Sequence, residues 1–289
     1  MPKLKLGIIG GSGLYDIEEA KNSNWEKIIT PWGNPSDEVF CFELDNKEIC
    51  FLPRHGRGHK INPSCINFRA NIDALKQKGV TDIVSISAVG SLRKDLPPGI
   101  FVLADQFVDR TFARNKTFFD DEIIAHVSMA KPTSDLLTDI CEMSLKKLSI
   151  NYKRGGLYLA MEGPQFSTKS ESLLYKSWGV DVIGMTNMPE AKLAREAEIR
   201  YSTIAMVTDY DCWHPDHDNV DVNMIIETLN QNVKNAKELI KSIIYNYEID
   251  DVSDTTKNCL DTAIITDPSC MTDETKNKLK TIAGRVLFK

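Results

Sequence analysis

Six short segments of this sequence gather residue types that can hold an anion or move a proton. The first is Gly10-Gly11-Ser12-Gly13, which follows an apolar run. Glycines permit a tight turn that aims backbone N–H groups at an anion, and Ser12 adds a hydroxyl donor. A dinucleotide fingerprint would need a third glycine where Asp16 stands, and no Gly-Lys-Ser/Thr follows as in a P-loop. The second segment, Pro53 to Lys60, holds Arg54, His55, Arg57, His59 and Lys60 around two glycines. A solvated basic turn is the bland reading. The embedded glycines favour close approach to a ligand, and an arginine fork suits phosphate.

The third segment, Ser85 to Leu92, is an apolar run that ends in small residues and Gly90. In open α/β sheets ligands collect at the carboxyl ends of strands, and small residues there leave room for them. The fourth, Met161 to Thr168, combines a stiff Gly163-Pro164 with Phe166, whose ring can stack on a base or simply pack in a core. The fifth, Gly184 to Ala191, again joins a strand end to a helix start. The sixth, Thr208 to His214, carries Asp209 and Asp211 after an apolar strand. Their shared strand parity predicts that both face one pocket, where paired carboxylates serve acid/base work or recognise an amino group. His214, Asp216 and His217 lack regular metal-ligand spacing, which disfavours a metal site.

These segments need elements to position them. Apolar runs predict strands over 4–9, 39–44, 48–53, 82–87, 100–104, 156–161 and 201–208. Helical periodicity appears over 64–78, 132–148, 168–178, 189–200 and 221–247. Strands alternating with helices predict an α/β fold: a single domain, 1–289, with a central mixed, mostly parallel sheet flanked by helices. Residues 248–273 are rich in Asp, Thr and Ser and read as a loosely ordered polar surface excursion before a last helix near 273–283.

Composition narrows the function classes. Thirty-five Lys+Arg against forty-one Asp+Glu give a net charge of −6, so the surface as a whole does not attract nucleic acid. No apolar run approaches the roughly 20 residues needed to span a bilayer, and no membrane partner is expected. The N-terminus lacks the features of a signal peptide, which makes the cytoplasm the expected compartment. Seven widely spaced cysteines without a Cys-x-x-Cys read as reduced thiols rather than a disulfide framework or zinc site.

Taken in this order, the six segments resemble the methylthioadenosine phosphorylase branch of the trimeric purine nucleoside phosphorylases, over residues 5–247. The resemblance implies the nucleoside phosphorylase fold and a homo-oligomer, either a trimer or a dimer of trimers. It implies cleavage of 5′-methylthioadenosine by inorganic phosphate, giving adenine and 5-methylthioribose 1-phosphate, with phosphate as co-substrate and no cofactor or metal. It assigns phosphate to Ser12, Arg54, His55, Ser87, Ala88 and Thr186, and the base and ribose to Phe166 and Met185. Asp209 and Asp211 become the catalytic, purine-facing pair, with the Asp209 carboxyl raised by burial and by the Asp211 charge. Ser167 stands where the family varies with base preference. Val222 and Ile225 match positions at the 5′ end of the substrate, and relatives acting on ordinary nucleosides carry histidine at the position of Val222. His126 resembles a histidine supplied by a neighbouring subunit. Two alternatives compete. A 6-oxopurine nucleoside phosphorylase is disfavoured by the aspartate pair. A non-catalytic purine-binding protein would not need the phosphate cluster.

Overall fold

The computed structural model describes residues 5–11, 13–14, 17, 19–120, 122–214, 222–249 and 255–288, with the backbone alone at 222–226. Among the described residues, the strands are β1 Leu6–Gly10, β2 Lys21–Glu26, β3 Val39–Leu44, β4 Lys47–Pro53, β5 Asp82–Ser91, β6 Phe101–Leu103, β7 Gln106–Asp109, β8 Tyr152–Arg154, β9 Leu157–Ala160, β10 Val182–Gly184 and β11 Arg200–Asp209. The helices are α1 Phe68–Gln77, α2 Asp135–Lys147, α3 Lys169–Ser177, α4 Asn187–Glu196, α5 Val222–Asn246, α6 Asp273–Lys278 and α7 Lys280–Leu287.

Period-two alternation sorts the strand side chains into two cores. Ile9, Cys50, Leu52, Ile83, Val89, Ala205 and Val207 face one core, where Phe68 and Ile72 of α1 and Ala191 and Ala194 of α4 cover them. Leu6, Ile8, Ile49, Phe51, Val84, Ile86, Ile204 and Met206 face the other, under Leu137 and Cys141 of α2 and Leu239 and Ile243 of α5. Helix starts follow the sequence: Asn67, Ser134 and Thr168 cap α1, α2 and α3, and Thr168 forms a capping box with Glu171.

The sheet is mixed and mostly parallel, with six of the ten ladders among the described residues parallel. Its long path runs β2-β3-β4-β1-β5-β10-β9-β7, while β11 pairs with β5 and β6, and β6 with β8. The central strand β5 creates the opening that matters. One edge pairs with β11 from Asp82 to Gly90. The other pairs with β1 only as far as Ser85 and with β10 only from Gly90 onward. Between Ser85 and Gly90 that edge has no strand partner, so a gap opens at the carboxyl end of β1.

Four strands were not legible as apolar runs. The edge strand β2 is polar and largely exposed, and β7, β8 and β10 have only three or four residues each. The last helix is two, broken at Leu279. The described part of the 248–273 excursion is anchored rather than loose. Ala125 bridges to Ile264, the His126 N–H donates to the Ala263 carbonyl at 2.8 Å, and Leu260 and Ala263 are buried. Among the described residues no helix is long and apolar enough to cross a membrane.

A buried ion pair ties β5 to β11 at their starts. Arg200 Nε and Nη2 donate to the two Asp82 carboxylate oxygens at 2.5 and 3.0 Å, and Tyr247 beyond α5 adds a hydroxyl at 2.7 Å. Removing one partner strands the other charge away from water, at a cost of about 3–5 kcal/mol. Asp82→Ala should therefore lower the free energy of urea unfolding by about that amount. A loss under about 1 kcal/mol would contradict the role given to this pair.

Candidate active site

A cavity of about 530 Å³ occupies the gap beside β5. That volume falls within the range of small-molecule sites. The strand reveals it locally, because Ala88 is exposed in the middle of an otherwise buried run. All six sequence segments meet here through residues whose side chains or backbone line the wall: Gly11; Arg54, His55 and His59; Ile86 to Gly90; Met161, Pro164 and Phe166; Gly184 to Thr186; and Thr208, Asp209 and Asp211. Leu229 and Val233 of α5 complete it. Ser12 lies outside the described residues, as do the side chains of Val222 and Ile225 at the start of α5.

The floor of the cavity is polar. His55 Nδ1 lies 2.8 Å from the Ile61 carbonyl, which can only accept, so this nitrogen carries the proton. Burial, reinforced by the nearby Arg54 and His59 charges, pushes the His55 pKa down to about 4 despite that bond. The ring is therefore neutral near pH 7 and keeps a lone pair on Nε2. Ser87 donates to Asn187 Oδ1 at 3.1 Å, and Asn187 in turn donates to Tyr201 and Thr203.

Arg54 reaches the wall, yet it is only 2 % exposed and its nitrogens are engaged. Nε and Nη2 pair with Glu190 at 2.8 and 3.0 Å, Nη1 donates to the Ile86 carbonyl at 3.0 Å, and Nη2 also donates to Ser85 Oγ at 2.6 Å. The guanidinium thus satisfies a β5 carbonyl that no strand reaches.

The aspartates sit at the other end. Asp209 accepts from Thr208 Oγ1 at 2.7 Å and from the Asp211 N–H at 2.8 Å. Asp211 is 4 % exposed and accepts from buried Ser172 at 2.5 Å. Burial raises both carboxyl pKa values above the usual range, and at Asp211 the Asp209 charge adds to the shift. The expected cause for Asp209 is corrected in part: burial acts on it, while the charge effect falls on its partner. The expected shared strand parity is also replaced. The register slips between Val207 and Asp209, and Asp211 opens a single turn of 3₁₀ helix, so a bulge and a turn bring the two carboxylates to one wall.

Two expected residues lie off this wall. Ser167 is buried behind it, its hydroxyl directed at Met161 Sδ at 3.6 Å. His126 is exposed and does not line the cavity of its own subunit. Glu162 and Glu190 fall inside the fourth and fifth segments but had no role assigned from sequence, and Ser172 and Arg114 had none either; their partners lie tens of residues away in the chain. Hydrogen bonds from Ser64, from the Phe112 and Ala113 N–H groups and from Arg114 overcome burial and hold the Glu162 carboxyl down at about 2.

A model of the phosphorylase superfamily matches residues 5–245. The chain belongs to the phosphorylase superfamily. Within that superfamily it is 56 % identical over 287 residues to the S-methyl-5′-thioadenosine phosphorylase of Rhodospirillum rubrum, covering 98 % of this chain and 97 % of that protein. The enzyme of that name from Cereibacter sphaeroides is 52 % identical, with 99 % of each chain covered. Among solved structures, a methylthioadenosine phosphorylase from an antarctic soil metagenomic library superposes with a TM-score of 0.92 at 43 % identity, covering 98 % of this chain and 99 % of that one. The methylthioadenosine phosphorylase of Schistosoma mansoni in complex with adenine gives 0.81 at 32 % identity, with 98 % of each chain covered.

The depressed His55 pKa has a consequence for folding. Unfolded, the imidazole titrates near 6.5 and binds a proton that the folded ring refuses until about pH 4. The stability associated with the neutral ring is thus present above pH 6.5 and is lost as pH falls toward 4. A His55→Gln variant, which cannot titrate, should gain on the wild type in urea midpoint between pH 6.5 and pH 4.5, with a constant difference above that window. Parallel stability curves across it would contradict the assignment.

Proposed function

We propose that this chain cleaves 5′-methylthioadenosine with inorganic phosphate, releasing adenine and 5-methylthioribose 1-phosphate. The observation that carries the reading is the polarity of one cavity: His55, Ser87 and Thr186 beside the Arg54 guanidinium, the partly buried Asp209 and the buried Asp211 next to Gly90, and thioether and aliphatic side chains in the same lining. The names borne by relatives up to 56 % identical support the same reaction.

Breaking an N-glycosidic bond builds positive charge on the ribose and negative charge on the departing purine. Phosphate on the floor meets the ribose charge, held by the hydroxyls of Ser12 and Thr186, by that of Ser87 once it turns from Asn187, by the N–H of Ala88 and by the ring of His55. With Nδ1 committed to a carbonyl, His55 offers Nε2, which accepts from a protonated phosphate oxygen. Arg54 supports this end by fixing the gap in the sheet as well as by its charge. Attack from the face opposite the base inverts C1′. At the other end Asp209, raised by burial, gives a proton to the purine N7, and Asp211 accepts from the adenine amino group. Phe166 and Met185 border the base and ribose, and Ser167 shapes base preference from behind the wall. Phosphate is a co-substrate in this scheme, and no step calls on a metal or cofactor.

We further infer a homo-oligomer, either a trimer or a dimer of trimers, working in the cytoplasm. His126 is exposed and absent from its own subunit's cavity, and Phe112 and Phe166 leave 82 % and 54 % of their surface uncovered. A neighbouring subunit that receives His126 accounts for both facts.

The 5′ position decides the substrate. Val222, Ile225, Leu229 and Val233 follow the spacing of one helical face, and the last two line the cavity. A 5′-hydroxyl against valine loses water without replacement, at about 1–3 kcal/mol, whereas a methylthio group gains about 0.8 kcal/mol on burial. Methylthioadenosine should therefore exceed adenosine in kcat/KM by roughly 20- to 600-fold, and Val222→His should narrow that ratio. Hypoxanthine nucleosides, which present an acceptor to the carboxylates, should be turned over far more slowly. Equal kcat/KM for methylthioadenosine, adenosine and inosine in the wild type would overturn the reading.

A further inference from the structure

We propose that Arg114 is a positioning residue for the nucleoside half of the site, acting through Met161 and Met185; the inference rests on the phosphorylase reading above. Arg114 does not line the cavity and is 9 % exposed, so it is no ligand. Its guanidinium instead gathers two loops. The β9–β10 ladder ends at the Ala160–Gly184 pair, followed by one bond from the Met161 N–H to the Gly184 carbonyl at 2.9 Å. Beyond that point the two chains diverge around the cavity mouth, and their carbonyls turn to Arg114. Nη1 donates to the carbonyls of Met185 and Met188 at 2.6 and 2.7 Å. Nη2 donates to those of Glu162 and Met161 at 2.7 and 3.4 Å.

The clamp is fixed from behind as well. Arg114 Nε meets Glu162 Oε1 at 3.2 Å, and the same carboxylate accepts from the Phe112 N–H at 2.6 Å and from Ser64 Oγ at 2.5 Å. The buried pair is neutral as a unit, so its effect on the site is geometric rather than a field. Little slack exists where it acts. Gly163 has φ +70°, and a Cβ there would lie 2.5 Å from Met185 Sδ. A shift of one loop relative to the other therefore moves Met185 at the base and ribose wall. The phosphate floor shares this stretch through Thr186 but has further anchors of its own there: Asn187 binds Ser87, Tyr201 and Thr203, and Glu190 binds Arg54. Planar, five-donor geometry is what allows one side chain to serve both loops, and a lysine ammonium has only three donors on a flexible stem.

The test is the ratio of two Michaelis constants in Arg114→Lys, with Glu162→Gln as a second variant that keeps the charge on Arg114 and weakens its support. We expect the KM for methylthioadenosine to rise at least tenfold in Arg114→Lys while the KM for phosphate stays within threefold, and a smaller rise of the same pattern in Glu162→Gln. A general loss of structure would instead lower kcat or shift both constants together. Calorimetric titration with adenine and with phosphate reads the same split without turnover. A wild type that releases no adenine would defeat the phosphorylase reading, and the adenine and phosphate titrations would still judge Arg114. Variants whose nucleoside and phosphate constants move together, or do not move at all, would overturn the role given to Arg114.

Discussion

The ion pair between Arg54 and Glu190 holds the site open. A parallel sheet normally satisfies its central strand on both edges, and a gap there leaves buried carbonyls without partners. Here β1 ends early and β10 begins late, and Arg54 takes the Ile86 carbonyl that neither reaches. The guanidinium is itself stabilised by Glu190 from α4, which also accepts from Ser85 and Tyr201. A strand end, a break in the sheet and a helix are thus joined by one buried pair. Loss of either charge would leave the other stranded, so Arg54 belongs to the fold as much as to the site.

The two ends of the cavity are built on different principles. The floor sets hydroxyl donors and a histidine that burial keeps uncharged beside the Arg54 guanidinium, whose charge is already paired with Glu190. At the far end burial raises the carboxyl pKa values of Asp209 and Asp211, against the lowering effect of the hydrogen bonds they accept. Desolvation acts in opposite chemical senses at the two ends: it favours the deprotonated form of His55 and the protonated form of Asp209. An enzyme that must present a nucleophile on one side of a bond and an acid on the other needs that asymmetry.

Much of this was legible in the chain. The α/β alternation, the glycine-rich strand ends and the order of the six segments specified the mixed, mostly parallel sheet and brought all six segments to one cavity. What escaped was long-range or short. Strands such as Val182–Gly184 have too few residues for a period to register. Arg114 and Glu162 are paired across 48 positions, and nothing beside Arg114 in sequence signals its partner. The aspartate pair was read correctly as converging on the cavity but for an incorrect geometric reason, because a bulge cannot be seen in an alternation pattern. The 248–273 segment read as loose because its composition is polar, yet buried Leu260 and Ala263 help anchor its described part.

In the proposed reaction a C1′–O bond to phosphate forms as the C1′–N glycosidic bond breaks and adenine leaves, and water takes no part as nucleophile. Phosphorus-31 NMR of methylthioadenosine, protein and excess inorganic phosphate observes this directly. The account predicts that a sugar phosphate ester resonance grows in step with adenine release while the inorganic phosphate signal falls by the same amount. Adenine release with an unchanged phosphate spectrum would contradict it.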